Sequence, residues 1–319
     1  MLEQQKYIFD AMLEIDKDLA RLKQPLSSRA LPAALMFVKY FVADVSHGSK
    51  DNPTSEKWFA IIHFHVCERY LDNYGKAFSA RTRGIIGALI VKGIPVEFHV
   101  PNTKSKIEVE GETAWMIYPS GIDDDEDPAK WLVNSPNPEK LEKHESQSLK
   151  RDMLLVASNL RQISVFVNTC EEPDSAFVNL VKGIPDELEA SAKSLVANTN
   201  TSIQSSVWSL QMAMERTLKS LSIQQRGVFR ETHDLFTLFD ELTDVSTKLN
   251  RHDLKRFPRW RENVDGRYSF NDKLDLSSAF SHYKLCLKFI RDGTEILERK
   301  IKILDSGFLL KKPPYLDLD

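Results

Sequence analysis

The chain has 319 residues, of which 42% are hydrophobic and 28% are charged, and its formal net charge is −3. This length is about twice that of a typical domain, so two domains are expected. The composition is that of a globular chain with enough apolar residues for a core. A slightly acidic chain has no general attraction for nucleic acids or anionic membranes, so either kind of binding needs a local basic patch.

Targeting signals and cysteine usage favour a cytoplasmic protein. The first ten residues lack a basic segment followed by an apolar run, which excludes a typical signal peptide. The most apolar stretch, residues 31–45, is interrupted by Lys39 and Asp44 and is too short to span a bilayer. The three cysteines lie far apart without a CxxC pair, which favours reduced thiols over a disulfide framework.

The first 145 residues predict helices followed by short strands, an α+β domain with a small antiparallel sheet. Apolar residues at steps of three and four predict helices over about 7–22, 32–45 and 55–73. Short β-branched or alternating runs predict strands over 85–91, 96–100, 106–110 and 113–119. Gly111-Glu112 is typical of a tight hairpin connection between the last two strands.

Residues 146–319 predict a second, helical domain. Helical periodicity covers 146–168, and Pro185-Asp186-Glu187 is typical of a first helical turn. Apolar residues from Ile203 to Leu221 form one continuous stripe. A further helix is expected from Thr232 to Leu249, and a long one from Leu276 to Leu304. Helices of this length with short connections favour an antiparallel bundle.

Three segments of this helical domain carry a family resemblance. They are the helical run Ala213–Leu221, the helix opening Thr232-His233-Asp234-Leu235, and Gly266-Arg267-Tyr268 ahead of the last helix. In order and approximate spacing they resemble the HEPN domain family over about residues 200–304. Ser269 stands where the family has a proline after the Arg-Tyr pair, and residues 1–145 resemble no family that we recognise.

The resemblance implies a helical bundle that dimerises and that works on or around RNA or nucleotides, as in bacterial stress or defence systems. Apolar Ile203, Leu210 and Leu218 would supply a homodimer face. Catalytic members of the family resemble one another in an Arg-x4–6-His motif, which assists attack of a ribose 2′-hydroxyl without a metal. Arg226 and His233 match that spacing, but Arg226 is expected in a loop and His233 at a helix start, unlike the usual context.

The loop 251–268 is the best local candidate for nucleic-acid binding. Its basic residues alternate with Phe257, Trp260 and Tyr268, and such cations neutralise phosphates while aromatic rings stack on unpaired bases. The candidate binding residues are Arg251, Lys255, Arg256, Arg259, Trp260, Arg261 and Arg267. The alternative is a solvated connection whose cations pair with neighbouring acids such as Asp253.

Metal and cofactor chemistry has little support. His63 and Cys67 share a helical face at i, i+4, but His65 points elsewhere and no second ligand pair is evident. The acidic run 123–127 lacks the spacing of a calcium loop and is expected to be a solvated loop. No nucleotide-binding glycine loop or hydrolase motif is present. No metal or cofactor is therefore expected.

These observations favour a non-enzymatic, HEPN-like regulatory or interaction protein linked to RNA or nucleotides. The first alternative is a metal-independent endoribonuclease that uses Arg226 and His233. The second is an adaptor that binds a protein partner through the N-terminal sheet. The sequence does not identify the ligand, the role of residues 1–145 or an obligate partner.

Overall fold

The computed structural model describes residues 2–79, 84–171, 173–243, 248–260, 262 and 274–312. Helices and two small three-stranded sheets make up the described chain, which confirms the α+β class. The described residues fall into two compact units. One lies within Met1–Arg83, Ile107–Trp115 and Leu309–Asp319, and the other within Gly84–Lys106 and Met116–Phe308.

The N-terminal unit is built from helices α1 (Leu2–Arg21), α2 (Ala30–Phe41), α3 (Phe59–Tyr74) and the short α4 (Lys76–Ser79). Met12, Ile15 and Leu19 of α1 are buried in one cluster with apolar residues of α2 and α3, as the spacing predicts. Helix α3 begins later than expected because Pro53–Ser55 form a separate 3-10 turn. It ends at Gly75, whose φ of 50° suits a residue without a Cβ.

The first sheet has the order β1-β2-β5, with β1 at Ile85–Val91, β2 at Ile94–Val100 and β5 at Leu132–Val133. Strands β1 and β2 are antiparallel and pair Val91 with Ile94 next to the turn. Lys92 and Gly93 both have positive φ, 52° and 76°, which is the geometry of a two-residue type I′ hairpin. The predicted antiparallel strands are confirmed here.

The second sheet has the order β3-β4-β6. Its strands are β3 (Lys104–Val109), β4 (Thr113–Ile117) and β6 (Gly307–Lys311). Gly111, with φ of 76°, lies in the predicted turn between β3 and β4. Strand β6, which comes from the far end of the chain, is not predicted from the sequence pattern.

The long helices of the C-terminal unit are α5 (Lys143–Thr169), α6 (Ser175–Ala197), α7 (Asn200–Arg226) and α10 (Leu276–Ile296). The short helices α8 (Leu235–Asp240) and α9 (Arg251–Leu254) lie between α7 and α10. By packing, β1 and β2 belong with α5 and α6, since buried residues of all four share one hydrophobic cluster. The two predicted domains, 1–145 and 146–319, are parts of the chain expected to fold independently, and this division stays a prediction.

Three helix boundaries of the C-terminal unit differ from the predictions by eight to ten residues. Helix α6 begins at Ser175, where the Asp174 side chain accepts a hydrogen bond from the Phe177 amide, so Pro185 lies inside the helix. Helix α8 ends at Asp240 instead of continuing to Leu249. Helix α10 ends at Ile296, before a residue in extended conformation, instead of at Leu304.

The long helices do not all run in alternate directions. Helices α6 and α7 are antiparallel, with the Ser191 and Ser206 hydroxyls 2.8 Å apart. Helices α7 and α10 run in the same direction, because Met214 contacts Cys286 and Gln224, further along α7, contacts Glu298 just beyond α10. The antiparallel prediction therefore holds for α6 with α7. The long segment between α7 and α10 leads the chain back, so that α10 runs parallel to α7.

The helices that carry or follow the family-like segments share one core, while Gly266-Arg267-Tyr268 lies outside the described residues. Met214, Phe239 and Tyr283 belong to one hydrophobic cluster. Ile203, Leu210 and Leu218 are buried in the same cluster, which corrects the expectation that they form a dimer face. None of the described helices combines the length and the apolarity that a membrane crossing needs.

The acidic run 123–127 is exposed except at Glu126, as expected of a solvated loop, and Glu126 also has a structural role. The fully buried Arg161 of α5 donates two hydrogen bonds to the Glu126 carboxylate, of 2.6 and 2.8 Å. It also donates to the carbonyls of Pro101 and Gly121, and its guanidinium lies over the Trp131 ring. Arg161 thus ties the loop to α5.

Candidate functional site

The backbone around His233 is fixed against helix α7. Gly227, with φ of 77°, ends α7, and the Asp234 side chain begins α8 by accepting a hydrogen bond from the Thr237 amide at 2.9 Å. The buried Gln211 side chain of α7 donates to the His233 carbonyl at 3.0 Å. His233 therefore lies just before α8, which begins three residues later than predicted, and its position is set by α7.

The imidazole of His233 is oriented by a buried carboxylate. Its Nδ1 lies 3.0 Å from Oε2 of Glu215, and the other oxygen of Glu215 accepts a hydrogen bond from Lys219 Nζ at 2.7 Å. Glu215 and Lys219 are both buried, whereas 54% of the His233 side chain is exposed. Because Glu215 occupies Nδ1, the ring nitrogen that can reach a ligand is Nε2.

Trp260 covers the His233 ring. The two rings are stacked, with centroids 4.3 Å apart and planes inclined by 15°. Trp208 of α7 packs on Trp260 from a centroid distance of 4.9 Å. Three aromatic rings from α7, from the segment before α8 and from the segment after α9 thus meet at one place.

A cavity of about 500 Å³ adjoins this aromatic group. It is lined by four of the seven residues that the sequence singles out for nucleic-acid binding, namely Arg251, Lys255, Arg259 and Trp260. The remaining lining residues are Gln211, Asp234, Leu235, Phe236, Leu254, Phe257 and Pro258. The wall is mostly apolar with a few polar groups, which is the usual make-up of a ligand pocket.

The cations of the cavity differ in their pairing. Arg251 donates to both oxygens of Asp240 at 2.6 and 2.8 Å and lies over the Phe236 ring. These hydrogen bonds lower the pKa of Asp240 and raise that of Arg251. Lys255 and Arg259 are exposed and have no acidic partner within salt-bridge distance in the described part of the chain. They are the cations that remain available to an anionic ligand.

Of the other three loop cations, only Arg256 lies within the described residues, and it is not among those that line the cavity. The Arg256 side chain lies 3.9 Å from Asp253, as the solvated-loop alternative predicts. Arg261 and Arg267 lie outside the described residues, as does the Gly266-Arg267-Tyr268 segment.

Arg226 and His233 are not brought into one site by the described contacts. Arg226 is the last residue of α7, not a loop residue, and its guanidinium pairs with Glu241 at 3.1 Å. Glu241 also pairs with Arg230, at 3.3 Å. Arg226 is thus held by Glu241 and is absent from the cavity lining, whereas His233 is held by Glu215.

Sequence reasoning missed four residues of this site. They are Gln211, Glu215 and Lys219, which follow one another at steps of four along α7, and Trp208 one turn before. A row of polar residues at helical spacing beside the apolar stripe was the available signal. Their partners come from other elements, so spacing alone does not reveal which site they support.

The His63–Cys67 pair of α3 has the predicted face but an incomplete ligand set. The Cys67 sulfur lies 3.8 Å from Nε2 of His63, and His65 pairs with Glu68. Burial lowers the pKa of His63 and raises that of Cys67. No group of three metal-ligating side chains occurs within the ranges that the structure covers.

Comparison of the chain with protein-family models, with curated proteins and with solved structures gives no significant match. The likeness to HEPN domains therefore rests on the residues of this chain alone.

Proposed function

We propose that the C-terminal unit binds a nucleotide, either free or as one residue of single-stranded RNA, in a regulatory or interaction role without catalysis. The observation that carries this proposal is the stack of Trp260 on His233 beside a cavity of about 500 Å³ that contains cations. The HEPN resemblance of residues 200–304 points to the same ligand class.

The aromatic group supports recognition of a base. Every base has a flat face that stacks on an indole ring, so Trp260 would bind bases with little sequence preference. His233 backs Trp260 and is itself anchored by Glu215, which keeps the stacking surface in place. A preorganised surface binds more tightly because less freedom is lost on binding.

The cations and the volume support recognition of the rest of a nucleotide. Lys255 and Arg259 are exposed at the cavity and suited to a phosphate. Pockets of roughly 300–1,000 Å³ accommodate small ligands, and a cavity of about 500 Å³ falls in that range. A single nucleotide therefore matches the cavity in size and in charge.

The direct test is fluorescence anisotropy of a labelled 12-nucleotide oligouridylate with the full chain. We expect Trp260→Ala to raise Kd about 5- to 150-fold, since a base–aromatic stack contributes about 1–3 kcal/mol. Trp260→Phe keeps a stacking ring and should retain most of the affinity. Lys255→Glu should weaken binding, while Lys182→Glu, an equal charge change on exposed α6 surface, should not.

Competition with unlabelled uridine and adenosine monophosphate separates the two ligand sources. Displacement at concentrations comparable to the oligonucleotide indicates a free nucleotide as the ligand, and failure to displace indicates RNA. Wild-type affinity in Trp260→Ala would reject the proposal in both forms. Unchanged oligonucleotide binding in Lys255→Glu with Arg259→Glu would favour the protein adaptor instead.

One observation favours endoribonuclease activity as a second candidate function. Glu215 holds Nδ1 of His233 and leaves Nε2 for proton transfer, as a general acid or base requires. Arg226, paired with Glu241, does not join this site, so the alternative would rest on His233 with Lys255 or Arg259. Cleavage of mixed RNA in EDTA that is lost in His233→Ala and kept in Arg226→Ala would establish it.

We also propose a cytoplasmic homodimer in a bacterial stress or defence system, on the basis of the HEPN resemblance. Its interface must lie on surfaces other than the buried stripe Ile203, Leu210 and Leu218. Light scattering during size-exclusion chromatography should give twice the 36.6 kDa chain mass. A concentration-independent mass of one chain would reject the dimer.

A further inference from the structure

A groove between helices α5 and α10 shares no lining residue with the Trp260 cavity. Its volume is about 460 Å³. The two helices run in the same direction. Asp152 pairs with Lys284 at 2.8 Å, and Phe166, further along α5, contacts Arg299, which lies further along the chain than Lys284. The groove lies on a packed helix pair, so its side chains project from a rigid support.

The groove is lined by three cations and by no acid. Arg151 is exposed and has no acidic partner among the described residues. Lys288 and Arg291 both pair with the buried Asp292 at 2.8 Å. Three positive charges and the one negative charge of Asp292 leave a net charge of about +2 at the groove at neutral pH.

One buried polar atom at the groove lacks a partner. The Nε atom of Arg291 is buried and has no hydrogen-bond acceptor among the described residues. Buried polar groups in folded proteins are nearly always hydrogen-bonded, so this donor indicates a missing acceptor. Asn159, only 8% exposed, lines the same groove with a side-chain amide that can donate a hydrogen bond. An oxyanion in the groove would supply acceptor oxygens to both side chains.

We propose that this groove binds the phosphate group of a phosphorylated ligand through Arg151, Asn159, Lys288 and Arg291. A phosphate carries a charge of about −1.5 to −2 at pH 7 and three strong acceptor oxygens, which matches the groove in charge and in donor number. Leu154, 50% exposed, and Leu155 form an apolar wall beside the cations. This wall suits the organic part of the ligand.

The experiment titrates inorganic phosphate and pyrophosphate into the full chain by calorimetry at constant ionic strength, with sodium chloride as the reference. Arg151→Gln should raise the phosphate Kd about tenfold, because a hydrogen bond to a charged group contributes on that order. Lys150→Gln, the same charge change at the exposed neighbour outside the groove, should leave Kd unchanged. Arg291 is left intact because its loss would remove one of the two partners of the buried Asp292.

Asn159→Leu separates a binding role from a structural one. Leucine has nearly the same size as asparagine and removes the amide donor, so thermal stability should be kept while phosphate affinity falls. No phosphate binding by the wild-type chain would overturn the proposal. Wild-type affinity in both Arg151→Gln and Asn159→Leu would overturn it equally.

The same variants identify the source of the phosphate. If Arg151→Gln weakens both phosphate and oligouridylate binding, the groove holds the phosphate of an RNA backbone. If it weakens only phosphate binding, the ligand is a free phosphorylated compound. The inference does not rest on the nucleotide proposal, because Trp260→Ala should leave phosphate binding at the α5–α10 groove unchanged.

Discussion

At the scale of single residues, buried charged groups decide how the loops of the C-terminal unit are held. The Arg161 side chain donates all its described hydrogen bonds to loop groups, namely the Glu126 carboxylate and the carbonyls of Pro101 and Gly121. Removing one partner of such a buried pair costs far more than the pair itself contributes, because the other charge remains without compensation.

We therefore expect Arg161→Met to lower the free energy of unfolding by about 3–5 kcal/mol, since it leaves Glu126 buried and unpaired. The double variant Arg161→Met, Glu126→Met should recover part of that loss. Lys284→Met breaks the less buried pair with Asp152 and should cost about 1 kcal/mol or less. Urea denaturation measures all three, and a loss under 1 kcal/mol for Arg161→Met would contradict the structural role of this pair.

His282 predicts a pH dependence of stability. Burial lowers its pKa, and a hydrogen bond with the Arg256 backbone opposes this only in part. Between the folded-state pKa and the unfolded value of about 6.5 the unfolded chain binds more protons, so stability is full above that value and is lost as the pH falls through the window. His63 of α3, whose pKa burial also lowers, acts in the same direction.

His282→Gln keeps a hydrogen-bond donor but cannot titrate, so it should flatten the decline of stability between pH 7 and pH 5. His47→Gln, at an exposed position, is the control. Chemical denaturation at a series of pH values gives the slope for each protein. An unchanged slope in His282→Gln would remove His282 as the cause.

At the scale of elements, local patterns predicted the parts whose causes are local. The run 85–91 became β1 at those residues because β-branched side chains and the Lys92-Gly93 turn act within a few residues. Helix α8 stops at Asp240 although its apolar spacing continues, and α6 extends through Pro185. Neither outcome follows from spacing, because packing against other elements decides which part of a periodic segment becomes helical.

The parallel contact of α7 with α10 predicts a steric test. A Cβ built on Gly293 would lie 2.6 Å from Cγ2 of Thr217, so Gly293→Ala should destabilise the chain by about 1–3 kcal/mol. Thr217→Ser removes that methyl group and keeps the hydroxyl that bonds the Ala213 carbonyl. In that background alanine should be tolerated or should stabilise by about 0.5–1 kcal/mol through its higher helix propensity.

Thermal or urea unfolding of the two single variants and the double variant gives the coupling between positions 217 and 293. Additive effects would mean that α7 and α10 do not approach closely at this point. The same contact explains why sequence reasoning missed the parallel direction. A glycine inside a helical pattern signals a close approach but does not say which helix approaches it.

At the scale of the whole molecule, the net charge of −3 acts on a distant ligand, whereas the basic loop acts on a ligand that is in contact with it. The sequence identified the loop 251–268 as basic and aromatic, and within its described part the structure places Arg251, Lys255, Arg259 and Trp260 at one cavity. It could not reveal that Asp240 neutralises Arg251 or that α7 supplies Glu215 and Trp208, since these partners are distant in sequence. The positive charge that remains unpaired at the cavity therefore decides how strongly the chain attracts an anionic ligand.

The salt dependence of oligouridylate binding measures the unpaired positive charge at the cavity. If Lys255 and Arg259 each neutralise one phosphate, log K should fall with log salt concentration with a slope of about −1.4, since each single-strand contact contributes about −0.7. Replacing Lys255 with glutamine should reduce the slope by about half. A slope near −2.8 would mean that Arg261 and Arg267 each add a contact, and a slope near zero would show that binding at this cavity does not involve phosphates. The long-range repulsion from an acidic chain is screened beyond about 10 Å at 0.1 M salt, so the measured slope reports the cavity and not the net charge.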